Sequence, residues 1–316
     1  MGRLVEGHWH DEWYDTESTG GAFKREDAGF REQVGEGMRH PPESGRYHLY
    51  VSLACPWAHR TLIMRKLKGL EQHIDVTVSH PHMLEGGWRY DPPEPLYGFA
   101  HHHQLYTRDK PNYTGRVTVP VLWDKQTESI VNNESAEILR IFNSAFNTLT
   151  GNTDDYYPEL LREEIDRINE RVYHDINNGV YKAGFATKQQ AYEKACLALF
   201  AALDWVEELL ATRRYLTGER ITEADWRLFT TLVRFDPVYH GHFKCNIRRI
   251  QDYPHLSGYL RELYQWSGIA ETVSFDHIKQ HYYYSHDTIN PTRIVPLGAG
   301  QDLRQPHGRE HLPAKN

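Results

Sequence analysis

Residues 47–78 read YHLYVSLACPWAHRTLIMRKLKGLEQHIDVTV. Tyr47, Leu49 and Val51 alternate with His48, Tyr50 and Ser52, which is the period of a strand. Cys55 and Pro56 follow. Pro56 suits the first turn of a helix, where its missing N–H is no loss. Leu62, Ile63, Lys66 and Leu67 then keep helical spacing up to Gly69, and Ile74 to Val78 form a second strand-like run. Strand, helix, strand is a βαβ unit, and it places Cys55 where the first strand ends and the helix begins.

Working outward, 117–124 reads as a turn into a strand, and Ile130-Val131 as its short partner. Asn133-Glu134-Ser135 opens a helix carrying Ile138, Leu139 and Phe142. After about residue 150 the strands stop, and 158–177, 188–211, 222–235 and 255–267 read as helices. In the second of these, Ala195, Leu199, Ala202, Leu203, Val206, Leu209 and Leu210 mark an apolar stripe. Thr222 and Asp225 have the spacing of a capping box. The expected class is α/β plus all-α: an arm over 1–45, an α/β domain over 46–150, a helical domain over 151–284 and a tail over 285–316. Residues 81–115, with five prolines, read as a long loop.

The 316 residues suffice for two domains, and 39% hydrophobic with 25% charged content is that of a globular protein, with a mean hydropathy of -0.70 on the polar side. A formal net charge of -7 argues against a nucleic-acid binder. No run of eighteen or more apolar residues appears, so no membrane span is expected. The acidic start MGRLVEGHWHDEWYD is no secretory signal, and three cysteines make no disulfide framework. A cytoplasmic location is the simplest expectation. Abundant aromatics fit ordinary core packing or a pocket for a flat ligand, and composition favours packing.

Cys55 carries the chemistry. The free N–H groups of the first helical turn and the helix dipole both favour its thiolate, the reactive form. Ala58 stands where a second cysteine of a dithiol pair would be, so any disulfide must form with an external thiol. Cys196 lies in an apolar stripe and Cys245 lacks a helix start, so both read as structural. At Val119-Pro120 the trans bond is the commoner form; a cis bond would turn the Val119 backbone outward toward a peptide ligand. Glu134-Ser135 is either a dipole match or a grip on a ligand's charged ends. His101-His102-His103, His80-x-His82 and His240-x-His242 invite a metal, but no helical HExxH or closing Cys/His pattern accompanies them, and no metal is expected.

Six motifs in order complete the picture: CPWAHR at 55–60, TVPVLWD at 118–124, NNES at 132–135, NNGVYKAGFA at 177–186, VYHGHFKCN at 238–246 and HYYYSH at 281–286. From about 40 to 300 the chain resembles the glutathione transferase superfamily and, within it, the xi class of glutathionyl-hydroquinone reductases. The resemblance implies a thioredoxin-like N-terminal domain, a cis-proline after Val119 and a helical C-terminal domain. It implies Cys55 as catalytic cysteine; Trp88, Arg116, Val119, Glu134 and Ser135 as glutathione-binding residues; and Tyr181, Tyr239 and Tyr282 around a quinol ring. Tyr283 and Tyr284 follow Tyr282 directly and compete for its role. Glutathione, glutathionylated hydroquinones and a homodimer are the implied co-substrate, substrate and assembly, with the termini as candidates for the dimer interface. The histidine triplet matches nothing in the family pattern.

Peptide-like glutathione can add its cysteine backbone to the strand edge at Val119, with its γ-glutamyl end at Ser135 and the helix start and Glu134 taking the ammonium. Its sulfur then lies over Cys55. The implied reaction is deglutathionylation through a Cys55–glutathione mixed disulfide, releasing hydroquinone and oxidised glutathione. Three other readings remain: an omega-like thiol transferase or dehydroascorbate reductase, a conjugating transferase that Cys55 argues against, and a non-catalytic carrier of aromatic ligands.

Overall fold

The computed structural model describes residues 2–315, which divide into two compact units. The first unit gathers the start of the chain to Trp13, Glu26–Asp154 and Ser274–His286. Its main sheet contains β3 (Tyr47–Val51), β4 (Asp75–Val78), β6 (Val121–Asp124) and β7 (Ser129–Asn132), in the order β4-β3-β6-β7. β3 runs parallel to β4 and antiparallel to β6, and β6 pairs antiparallel with β7. The parallel pair is bridged by α1 (Pro56–Leu67), with Pro56 in its first turn. After β7 come α3 (Ser135–Ser144) and the short α4 (Asn147–Thr150), which stops at Gly151 in the left-handed conformation (φ 67°) that glycine adopts without penalty.

The alternation in 47–52 suggests a half-buried strand, yet all five residues of β3 are buried. Two paired neighbours and two covered faces account for this. On one side Tyr47 meets Phe146 edge-on at 5.7 Å between ring centres. On the other, Tyr50, Val121 and Trp123 share a cluster with Leu4, Phe30, Tyr90, Leu105 and Tyr106.

That second cover comes from segments expected to be irregular. In the arm, β1 (Arg3–Val5) and β2 (His8–His10) form a hairpin across Glu6-Gly7, both with positive φ (48° and 80°), as the tight turns between twisted strands require. β1 also pairs with β5 (Gly115–Arg116). Within 81–115 lies a seven-residue helix, α2 (His103–Asp109), whose Leu105 and Tyr106 enter the cluster. Elements of two to seven residues are too short to leave a period in the sequence.

The second unit comprises Tyr14–Arg25, Asp155–Val273 and the chain from Asp287 onward. Its helices are α5 (Arg162–Arg171), α6 (Gly179–Gly184), α7 (Gln189–Leu210), α8 (Glu223–Arg234) and α9 (Pro254–Gln265). α7 buries Leu199, Ala202, Leu203, Val206 and Leu210 of the stripe read from sequence, together with Cys196, while Ala195 and Leu209 are only half-buried. The capping box at the start of α8 is present, with the Thr222 amide donating to Asp225 at 2.8 Å. All twelve residues of α8 are buried, which makes it the central helix of this unit. α8 widens into a π-helical turn over Phe235–Tyr239. Pro237 lies in that turn and has no N–H to continue an α-helical ladder.

The tail is not loose. Arg309, 3% exposed, donates to the carbonyls of Arg213 and Arg214 at 2.8 and 2.9 Å and pairs with Glu262 at 3.3 Å. A last helix, α10 (Phe275–Ser285), is capped by Ser274 and belongs to the first unit. Among the described residues no helix is long and apolar enough to cross a membrane.

Candidate active site

Cys55 occupies the N-cap of α1, with extended backbone (φ -75°, ψ 121°). Its amide donates to the Ser52 carbonyl at 3.1 Å, and its own carbonyl accepts from His59 at 3.0 Å. The chain thus turns sharply out of β3 and presents the thiol where the first-turn amides converge. Cys55 is buried, and its Sγ lies 3.7 Å from the Val119 carbonyl. The Val119–Pro120 bond is cis, as the family resemblance implies and against the trans form that residue statistics favour.

Cys196 and Cys245 are in the other unit, and burial pushes both thiols up, Cys245 strongly. Their burial in helical packing suits the structural role read from the sequence.

Glu134 caps α3, its carboxylate accepting from the Ala136 amide at 3.0 Å. Ser135 is buried beside it and accepts from the Arg60 guanidinium at 3.4 Å. Arg60 is 1% exposed and lies over the Trp57 ring at 4.6 Å. Arg60 of α1 thus reaches Ser135, so α1 and the start of α3 are cross-linked beside the thiol.

Trp88 is buried and stacked on His281 of α10, ring centres 4.8 Å apart and planes within 18°. His281 is itself anchored through Nδ1 to the Pro81 carbonyl at 2.9 Å. Sequence reasoning did not single out His281. Its signal lay in the aromatic run that ends α10, whose helical spacing was missed. The same helix separates the three consecutive tyrosines: Tyr282 is buried between His281 and His286, whereas Tyr284 stacks on His82 at 3.8 Å.

Arg116 is held by the arm. Its guanidinium donates to the Glu12 and Trp13 carbonyls at 2.6 and 3.3 Å and to Glu26 at 3.3 Å. Tyr181 and Tyr239 belong to the second unit, 6.1 Å apart between ring centres. Tyr239 stacks on Phe243, and Arg25 lies over the Tyr181 ring at 5.2 Å. The structure therefore brings Cys55 against Val119 and groups Trp88 with α10; within the second unit, Tyr181 and Tyr239 cluster with Phe243.

The histidines are absorbed by packing. His82 donates its amide to His80 Nδ1 at 3.0 Å, and His101 and His103 stack on each other. Burial lowers His102, His103 and His242 to about 4, so their rings are neutral at pH 7. Among the described residues no group of three or more His, Cys, Asp or Glu side chains is arranged to hold a metal ion.

A helix-start thiol against the residue before a cis-proline that leads into a strand of a four-stranded mixed sheet defines the thioredoxin-fold thiol enzymes. Here a helical unit is added to that fold. Residues 54–145 match the glutathione S-transferase N-terminal domain, and 189–262 the C-terminal domain. The chain is 56% identical over 324 residues to the glutathionyl-hydroquinone reductase YqjG of Escherichia coli (strain K12), covering 98% of this chain and 99% of that protein. The glutathione-bound structure of YqjG superposes with a TM-score of 0.89 at 52% identity, covering 98% of this chain and 99% of that one. The xi-class glutathione transferase from Natrialba magadii superposes with a TM-score of 0.93 at 47% identity, covering 100% and 98%. The chain is therefore an enzyme of the glutathione transferase superfamily and belongs to its xi class, the glutathionyl-hydroquinone reductases.

Proposed function

We propose that this enzyme removes glutathione from glutathionyl-hydroquinones. The observation that carries the reading is Cys55 at the N-cap of α1 with its sulfur 3.7 Å from the Val119 carbonyl. A thiol in that position has a strand edge beside it for a peptide-like ligand and helix-start amides that favour its ionised form. Glutathione binds with its cysteine backbone along Val119. Its γ-glutamyl end lies at Ser135 and Glu134, and Trp88 flanks it. Arg116 contributes through its hold on the arm.

The Cys55 thiolate attacks the glutathione sulfur of the aryl thioether. A sulfur–sulfur bond forms, the carbon–sulfur bond breaks, and the ring carbon leaves with the electron pair and takes up a proton. Hydroxyls of Tyr181, Tyr239 and Tyr282 hydrogen-bond the phenol oxygens and favour a keto-like form from which departure is easier. A second glutathione then attacks the mixed disulfide, giving oxidised glutathione and the free Cys55 thiolate. No second cysteine neighbours Cys55 in sequence to resolve that disulfide, which is why an external thiol is required. The functional protein is a homodimer acting in the cytoplasm.

The test is incubation with a glutathionyl-hydroquinone and excess glutathione, following hydroquinone release. Absence of turnover defeats the reductase reading. A Cys55→Ser variant with normal turnover defeats the mechanism, as does a glutathione adduct found by mass spectrometry on Cys245 in place of Cys55.

A further inference from the structure

His102 and Tyr106 grip a single carbonyl, that of Thr118. His102 Nε2 lies 3.0 Å from it and the Tyr106 hydroxyl 2.9 Å. A carbonyl only accepts, so both groups donate to it. The neutral His102 ring therefore carries its proton on Nε2, and Nδ1 accepts from the Tyr90 hydroxyl at 2.6 Å. The Tyr106 hydroxyl also accepts from the Thr118 amide at 3.2 Å and from the Asn133 side chain at 3.1 Å. Asn133 in turn pairs with the Phe30 backbone, accepting its amide at 3.1 Å through the side chain and donating its own to the Phe30 carbonyl at 3.0 Å. His102 and Tyr106 are fully buried.

Two consequences follow from covalent geometry. The Thr118–Val119 peptide is trans and planar, so its carbonyl and the Val119 N–H point in opposite directions. Clamping the Thr118 oxygen thus fixes the direction of the Val119 N–H, the donor that strand-edge binding of a peptide requires. Asn133 immediately precedes Glu134, so the Tyr106 hydroxyl joins the strand end at Val119 to the start of α3. We propose that His102 and Tyr106 are positioning residues of the glutathione site, aiming the Val119 amide and holding it at a set separation from Glu134 and Ser135. This rests on the reading of Val119, Glu134 and Ser135 as the glutathione-binding set, and it gives the histidine of the 101–103 triplet that carries no surface a function.

The test uses the full-length enzyme with Tyr106→Phe, which removes one oxygen and keeps the ring, together with His102→Phe and His102→Gln. Glutathione affinity is read by calorimetry, KM and kcat by hydroquinone release, and Cys55 reactivity by iodoacetamide, which needs no peptide site. Loss of one donor to a buried carbonyl should raise Kd and KM for glutathione about tenfold in Tyr106→Phe and His102→Phe. Iodoacetamide labelling of Cys55 should stay within about twofold of the parent, since the first-turn amides of α1 that favour the thiolate belong to neither substituted residue. His102→Gln, which keeps an amide donor, should recover much of the affinity. The inference is overturned if Tyr106→Phe binds glutathione as the parent does, or if labelling slows in step with affinity, the mark of a general loss of structure. Should His102→Phe not fold, Tyr106→Phe and His102→Gln decide alone. Parent enzyme that neither binds glutathione nor releases hydroquinone would overturn the functional reading itself, a result separate from any variant's.

Discussion

Asp124 ends β6 and Arg46 precedes β3, so their pair fastens the far ends of the two strands whose near ends lead to Val119 and Cys55. The carboxylate is fully buried. It accepts from Arg46 Nε at 3.0 Å and Nη2 at 2.6 Å, from His40 Nδ1 at 2.7 Å and from the Gln126 amide at 2.9 Å. Burial works to raise its pKa, but the hydrogen bonds from Arg46, His40 and the Gln126 and Thr127 amides outweigh it and hold the group at about 2, against 3.8 in a solvated chain. That gap corresponds to about 2.5 kcal/mol of folding stability. The folded pKa is depressed, so the contribution is complete above about pH 5 and fades as the pH falls through 3.8 toward 2. About half remains at pH 3. Asp124→Asn imitates the neutral form. It should cost the first unit about 2.5 kcal/mol at pH 7, a fall in its melting temperature of about 5–10 °C. Urea unfolding of parent and variant at pH 7 and pH 3 measures this, with the difference between them shrinking by about half at the lower pH. A pH-independent difference would refute the reasoning, because it would mean that Asp124 contributes by shape and not by charge.

Three further outcomes are expected. At pH 7 iodoacetamide should modify Cys55 well before Cys196 or Cys245, whose thiols burial holds up; peptide mapping that finds Cys245 labelled first would contradict the assignment of the reactive thiol. His281→Ala removes the ring stacked on Trp88, an aromatic contact worth about 0.5–1.5 kcal/mol, so KM for glutathione should rise about two- to tenfold with kcat changed less. Arg309→Met leaves the 5%-exposed Glu262 with one fewer cation and strips donors from the carbonyls after α7. It should destabilise the helical unit by about 3 kcal/mol by calorimetry, with glutathione affinity unchanged.

Much of the site was legible in order along the chain. The turn from β3 into α1, the proline in its first turn, the Glu134 cap and the Thr222–Asp225 box all act between residues a few positions apart. Such short-range devices leave their signature in spacing. The hairpin in the arm and α2 left none, and α10 left only its run of His and Tyr at 281–284. α10 is rich in His and Tyr, which are indifferent helix formers, and it is held by partners about 200 residues away: Ser285 accepts from the Met83 amide, and Gln280 meets His82.

The same division runs through the chemistry. Cys55 at a helix start, without a second thiol beside it, was determined by sequence alone, because strand, proline and helix follow one another within ten residues. Which groups surround it was decided only by the tertiary structure. Arg60 turns to Ser135, Arg116 to the arm, His102 to the Thr118 carbonyl, and Tyr282 is buried where Tyr284 stacks on a histidine. Each of these choices is made by burial among residues distant in the chain, where a polar group must find whatever partner the packing brings within reach.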